Sequence, residues 1–226
     1  MKKINHQDIK CVYCGKKANT QDHIPSKGFF KGSENNPSPI LVPSCYKCNS
    51  EKLSKDEEYF RNLITSFGHR ISPEATRIFL GPVKRSITKS RGLAIETFRK
   101  MKLVDCYDSD GNYQGKKTKI HITPEDWRRI LNVLDKYIKG LFFHHFNRRI
   151  PSDWVIKHLW LKCGNNEEIL KDLIWGMRKK VIIPKIFGYG YNVVPNGYQS
   201  VWCLVFFDHP LFFSFVMDKD TARISN

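Results

Sequence analysis

Two Cys-x-x-Cys pairs, Cys11–Cys14 and Cys45–Cys48, constrain this chain more than any other feature. A Cys-x-x-Cys turn aims two thiolates at one point, and Gly15 follows the first pair, where such turns often carry a glycine. Two such turns complete a tetrahedral thiolate site, which suits zinc. A redox motif needs only one pair, and an iron–sulfur centre is the less common alternative at this spacing. Residues 1–53 have little regular apolar periodicity and are rich in Cys, Pro, Asn and Gly. A small segment of that kind holds its shape by a staple, and a bound ion supplies the folding energy. Cys11, Cys14, Cys45 and Cys48 are therefore the expected ligands of a structural Zn²⁺. Cys106, Cys163 and Cys203 lie in apolar contexts and are expected to be ordinary buried thiols.

Seven cysteines are an odd number and poor disulfide material. The start, MKKINHQDIK, lacks the apolar stretch of a signal peptide. No run reaches the roughly 18–20 apolar residues of a membrane span. The expectation is a cytoplasmic protein without a membrane partner. Lys and Arg number 38 against 22 Asp and Glu, a formal net charge of +16. That excess favours a polyanionic partner, because each neutralised phosphate releases condensed counterions. The plainer alternative is a basic soluble surface with no nucleic-acid role.

The text changes after Ser54. Residues 54–70 read as a helix with acidic residues in its first turn, and residues 71–79 as another, with Ser72 as cap and Pro73 at the first helical position. Residues 83–101 read as a basic helix, and 103–107 and 117–123 as a hairpin about a turn at 108–112. A long helix opens at Pro124. Its stripe of Trp127, Ile130, Leu131, Leu134, Tyr137, Ile138, Leu141 and Phe142 is expected to be core. Three antiparallel strands are expected near the end, in IFGYGYNVV, SVWCLVFF and FFSFVM. The fold class is α+β, with a module over residues 1–69 and a larger basic domain over 70–226 that carries the antiparallel strands.

Between the cysteine pairs stands Gln21-Asp22-His23-Ile24-Pro25, and Asn49 follows Cys48 directly. The string CVYCG…QDHIPSKGFF…ILVPSCYKCNSEKLSKDEEYF resembles the zinc-bearing form of the HNH endonuclease superfamily, over about residues 11–60. The resemblance implies a treble-clef-like ββα-metal fold and phosphodiester hydrolysis. It makes His23 the general base, and Asp22 and Asn49 the ligands of a catalytic Mg²⁺ or Mn²⁺. The family's middle Asn, which braces the loop carrying the base, is displaced or replaced here, with Asn36 or Ser38 nearest.

The chemistry asks for these residue types. A neutral imidazole can take a proton from water, and a hard cation on oxygen ligands can stabilise the leaving oxygen. Neighbouring strand residues point to opposite faces, so Asp22 and His23 can serve one phosphate only from a bent or bulged strand. Lys52, Lys84, Arg85, Lys89 and Arg91 are the candidate phosphate contacts, with Arg148 and Arg149 next; most basic runs are only solvated faces. Asp56 could orient a ligand, or only favour the start of its helix. His144 and His145 diverge by about 100° on a helix and make no metal pair.

The expected activity is DNA cleavage, as a nick or, through a homodimer or two encounters, a double-strand break. The alternatives are a non-catalytic zinc module that binds nucleic acid and an RNA-cleaving enzyme of a defence or toxin system. In a further reading the aromatic end docks on a partner protein.

Overall fold

The computed structural model describes residues 9–31, 37–68, 72–89, 92, 95, 99–161, 172 and 174–224. Strands β1 (Thr20–Ile24) and β2 (Ile40–Ser44) form an antiparallel hairpin. A single helical turn, α1 (Lys27–Phe30), follows β1. After β2 a wide turn over Lys47–Lys52 leads into α2 (Ser54–Gly68). Helix α3 (Pro73–Ile78) starts as its sequence requires, with Ser72 Oγ accepting the Ala75 N–H at 3.3 Å.

Of the stretch expected as one helix over 83–101, α4 (Lys84–Lys89) and residues 92, 95 and 99 are helical. Met101 already belongs to strand β3 (Met101–Tyr107), which pairs with β4 (Tyr113–Ile120). The long helix α5 (Pro124–Phe146) opens on a reciprocal Thr123–Asp126 capping box and stops at Asn147, whose φ of 49° no helix can continue.

A five-stranded antiparallel sheet follows, ordered β5-β9-β8-β7-β6. It comprises β5 (Val155–Trp160), β6 (Arg178–Ile183), β7 (Phe187–Val193), β8 (Ser200–Phe206) and β9 (His209–Met217). A short α6 (Lys219–Ile224) ends the described chain. The α+β class with antiparallel sheets agrees with the sequence reading. No helix among the described residues is long and apolar enough to cross a membrane.

Helix α5 is the axis of the molecule. Ile130, Val133, Leu134, Tyr137, Ile138, Leu141 and Phe142 are all fully buried. Two members of the expected stripe are corrected: Trp127 is 37% exposed and Leu131 39%. Leu131 lies about 100° round the helix from Ile130, at the flank of the buried arc, where Val133 takes the inner place. Trp127 instead rests edge-on against Trp160, 5.3 Å between centroids.

One cluster of buried apolar side chains runs from Val12, Ile24 and Val42 through Phe60 and Tyr137 to Phe206, Phe212 and Val216. Packing is therefore continuous across residue 69. Gly140 makes this close approach workable, since a Cβ there would fall 1.9 Å from Ile24 Cδ1.

Candidate functional site

The four cysteines lie at the base of the hairpin, and their sulfur atoms all fall within 4.8 Å of one another. Cys14 Sγ and Cys45 Sγ are 3.7 Å apart. A tetrahedron with metal–sulfur bonds of ~2.3 Å has edges of roughly 3.8 Å, so this geometry can hold a structural metal ion such as zinc. The local chain explains the convergence. Gly15 N–H donates to Cys11 O at 2.9 Å, with Gly15 at a φ of 77°, and Asn49 N–H donates to Cys45 O at 3.0 Å. Burial raises the Cys11 and Cys48 thiols above their ordinary range. Burial also raises Cys14, but hydrogen bonds from the Lys16 backbone and the other thiols outweigh it and bring it down to about 7. Four crowded thiols resist joint ionisation unless a cation compensates them. Of the other cysteines, Cys203 is buried, and burial pushes its thiol up to about 12. Cys106 is only half-buried, because β3 stands largely in solvent. Cys163 lies outside the described residues.

Asp22 and His23 stand on β1. Its pairing runs in step from Thr20 opposite Ser44 to Ile24 opposite Ile40. The bend or bulge expected near Asp22 is absent from this pairing, so the two side chains take opposite faces, and burial alternates accordingly. Asp22 points inward and is 4% exposed. Lys136 Nζ lies 2.7 Å from Asp22 Oδ2 and 2.6 Å from Glu57 Oε1, with the lysine side chain 1% exposed. The contact to Asp22 is ionic, not an aligned hydrogen bond. Asp22 Oδ1 accepts the His23 N–H at 2.8 Å. Burial raises Glu57 to about 7, Lys136 opposing and Asp22 adding to it.

His23 is half-buried on the open face. Burial and then the Lys27 charge lower its pKa below 6.5, Asp22 opposing, so the imidazole is neutral at pH 7. Asn49 Nδ2 donates to Gln21 O at 3.1 Å and to Thr20 Oγ1 at 3.4 Å. It ties the second cysteine turn to the strand that carries His23, and it does not cap a helix. The Asn49 Oδ1 atom takes no part in these bonds.

A second ion at Asp22 and Asn49 does not fit these positions. The Asp22 carboxylate is buried against Lys136, and among the described residues the four cysteines are the only cluster of three or more His, Cys, Asp or Glu that could hold a metal ion.

Asp56 accepts from Arg129 Nε at 3.2 Å and Asn132 Nδ2 at 2.9 Å, so it docks α2 on α5. Ser38 is exposed, and Asn36 lies outside the described residues. The loop after His23 is braced from elsewhere. Tyr137 Oη accepts the Ser26 N–H at 3.0 Å and lies 3.1 Å from Ser26 Oγ, in a fully buried position. Sequence reasoning saw Tyr137 only as a member of an apolar stripe; its one signal was the hydroxyl, which a buried tyrosine must pair.

Arg85 and Lys89 share a cleft, Lys84 is exposed outside its lining, and Arg91 and the Lys52 side chain lie outside the described residues. Arg148 and Arg149 are structural. Arg148 Nη2 donates to Gly197 O at 3.0 Å, and Arg149 Nε donates to Val12 O at 3.3 Å behind the first cysteine turn. His145 sits between the Tyr189 and Tyr191 hydroxyls at 2.8 and 3.2 Å, and burial brings it down to about 4. Ser214, His158 and Asp135 line up at 2.8 and 3.0 Å, but Ser214 is fully buried, so this trio links β5, β9 and α5 and offers no accessible nucleophile. No family model, curated protein or solved structure matches the chain.

Proposed function

We propose that this chain is a nucleic-acid phosphodiester hydrolase of HNH type, acting on DNA in preference to RNA, with His23 as its general base. One observation carries the reading: a half-buried imidazole, whose pKa burial lowers, stands on the open face of a strand that Asn49 clamps to the cysteine cluster. Zn²⁺ is the ion proposed for Cys11, Cys14, Cys45 and Cys48, because four soft thiolates at tetrahedral spacing favour it over hard cations. In the reaction His23 takes a proton from water as the water oxygen attacks phosphorus; the P–O bond to the 3′ oxygen breaks, and that oxygen leaves and is protonated by solvent, which gives 5′-phosphate and 3′-hydroxyl ends. Lys27, whose charge reaches His23, adds positive charge for a phosphate held there. The buried state of Asp22 argues against its holding a catalytic Mg²⁺ or Mn²⁺.

That same observation favours a second reading, a zinc module that binds nucleic acid without cutting it. Incubation with supercoiled plasmid and with RNA, with and without Mg²⁺ or Mn²⁺, separates the two. The first reading expects nicked product from the natural chain and none from His23→Ala at unchanged zinc content. Equal cutting by His23→Ala removes His23 from the mechanism, and binding without product supports the second reading.

A further inference from the structure

A cleft of about 590 Å³ opens between α1, α2, α4 and α5. Among the described residues six cations line it, Lys31, Lys55, Arg61, Arg85, Lys89 and Arg129, against a single carboxylate, Glu58. That carboxylate is already engaged by Ser86 Oγ and lies 3.9 Å from Arg61. Arg129 is committed to Asp56. Among the described residues no carboxylate pairs with Lys31, Lys55, Arg85 or Lys89. Arg61 is built into the wall: its side chain is 13% exposed, and Nη2 donates to Asn62 Oδ1 at 2.9 Å. Gly28 leaves room for it, because a Cβ there would fall 2.5 Å from Arg61 Nη1. Helix α1 follows the strand of His23 after two residues, and Lys31 at its end stands on the rim of the cleft.

We propose that this cleft binds the sugar–phosphate backbone of a nucleic acid through its phosphates, without reading bases. Unpaired cations in a concave wall attract phosphates and release counterions. The only aromatic ring in the lining among the described residues, Tyr59, is 7% exposed and covered by the Arg129 guanidinium at 4.1 Å, so it offers no face to a base. The assignment rests on the reading of the chain as a nucleic-acid protein and adds where the strand lies.

The test is fluorescence anisotropy with a labelled DNA duplex of ~20 base pairs, without added divalent ions, over a series of salt concentrations. Arg85→Ala/Lys89→Ala should weaken binding by about 10-fold or more at low salt. It should also reduce the slope of log affinity against log salt by about two, since each phosphate contact contributes ~0.9. Lys116→Ala/Lys119→Ala on β4 should leave the slope unchanged, and two unrelated duplex sequences should bind alike. An unchanged slope in the cleft variant, equal loss in both variants, or no binding by the natural chain would overturn the site. Plasmid nicking is read separately, so the cleft can fail while the cleavage reading stands, and the reverse.

Discussion

Lys136 stands at 1% side-chain exposure between Asp22 and Glu57, and this ionic contact decides what Asp22 can do. Removing one partner of a buried ion pair leaves the rest uncompensated, at a cost of about 3–5 kcal/mol. Lys136→Met should lose stability of that order in urea unfolding, and a loss below about 1 kcal/mol would mean that the trio is not charged. Glu57 supplies a pH test of the same trio. Burial holds its proton up to about 7, while an unfolded glutamate releases it near 4.5. Between those values the folded chain holds more protons, so this group's contribution to stability falls as pH rises from 4.5 to 7. Glu57→Gln should remove that slope from urea midpoints measured across the window. The sequence made Asp22 visible as a motif residue. It could not reveal Lys136 as its partner, because that lysine sits 114 positions later in a helix whose pattern announces only an apolar stripe.

Helix α5 and hairpin β1–β2 meet where Gly140 faces Ile24. Gly140→Ala should improve helix propensity yet destabilise the chain by about 1–3 kcal/mol, because the new methyl collides with Ile24 Cδ1. Ile24→Val deletes that atom, so the double variant should recover most of the loss; additive losses would contradict the contact. Elements with strong local signals were legible. Apolar positions three and four apart gave α5, Ser72-Pro73 gave the start of α3, and long apolar runs gave β8 and β9. Strands β5 and β6 carried no such signal. VIKHLW is half-buried along nearly its whole length, and RKKVII stands at the sheet edge with four exposed residues at its start. Charged edge strands of this kind resist unwanted pairing and so lose the alternation that marks a strand. The cysteine cluster was legible because spacing alone implies convergence. The opposed faces of Asp22 and His23 were foreseeable as a conflict, and the regular pairing of β1 leaves that conflict in place.

At the scale of the whole molecule, the cysteine-rich start and the sheet share one apolar core. The amino-terminal loop therefore depends on two supports, the core behind Ile24 and Val42 and the sulfur cluster at the hairpin base. Removing the ion should loosen the loop and His23 first, while the sheet persists behind α5. Chelation should therefore reduce amide protection in β1 and β2 more than in β7, β8 and β9; equal loss throughout would contradict this order. We propose that an ion at Cys11, Cys14, Cys45 and Cys48 shapes the surface that carries His23. Elemental analysis of the chain purified without chelators is the decisive measurement. About one zinc per chain is expected, lost when any of the four cysteines is replaced by serine. Less than about half an equivalent of zinc, with no iron in its place, would contradict it.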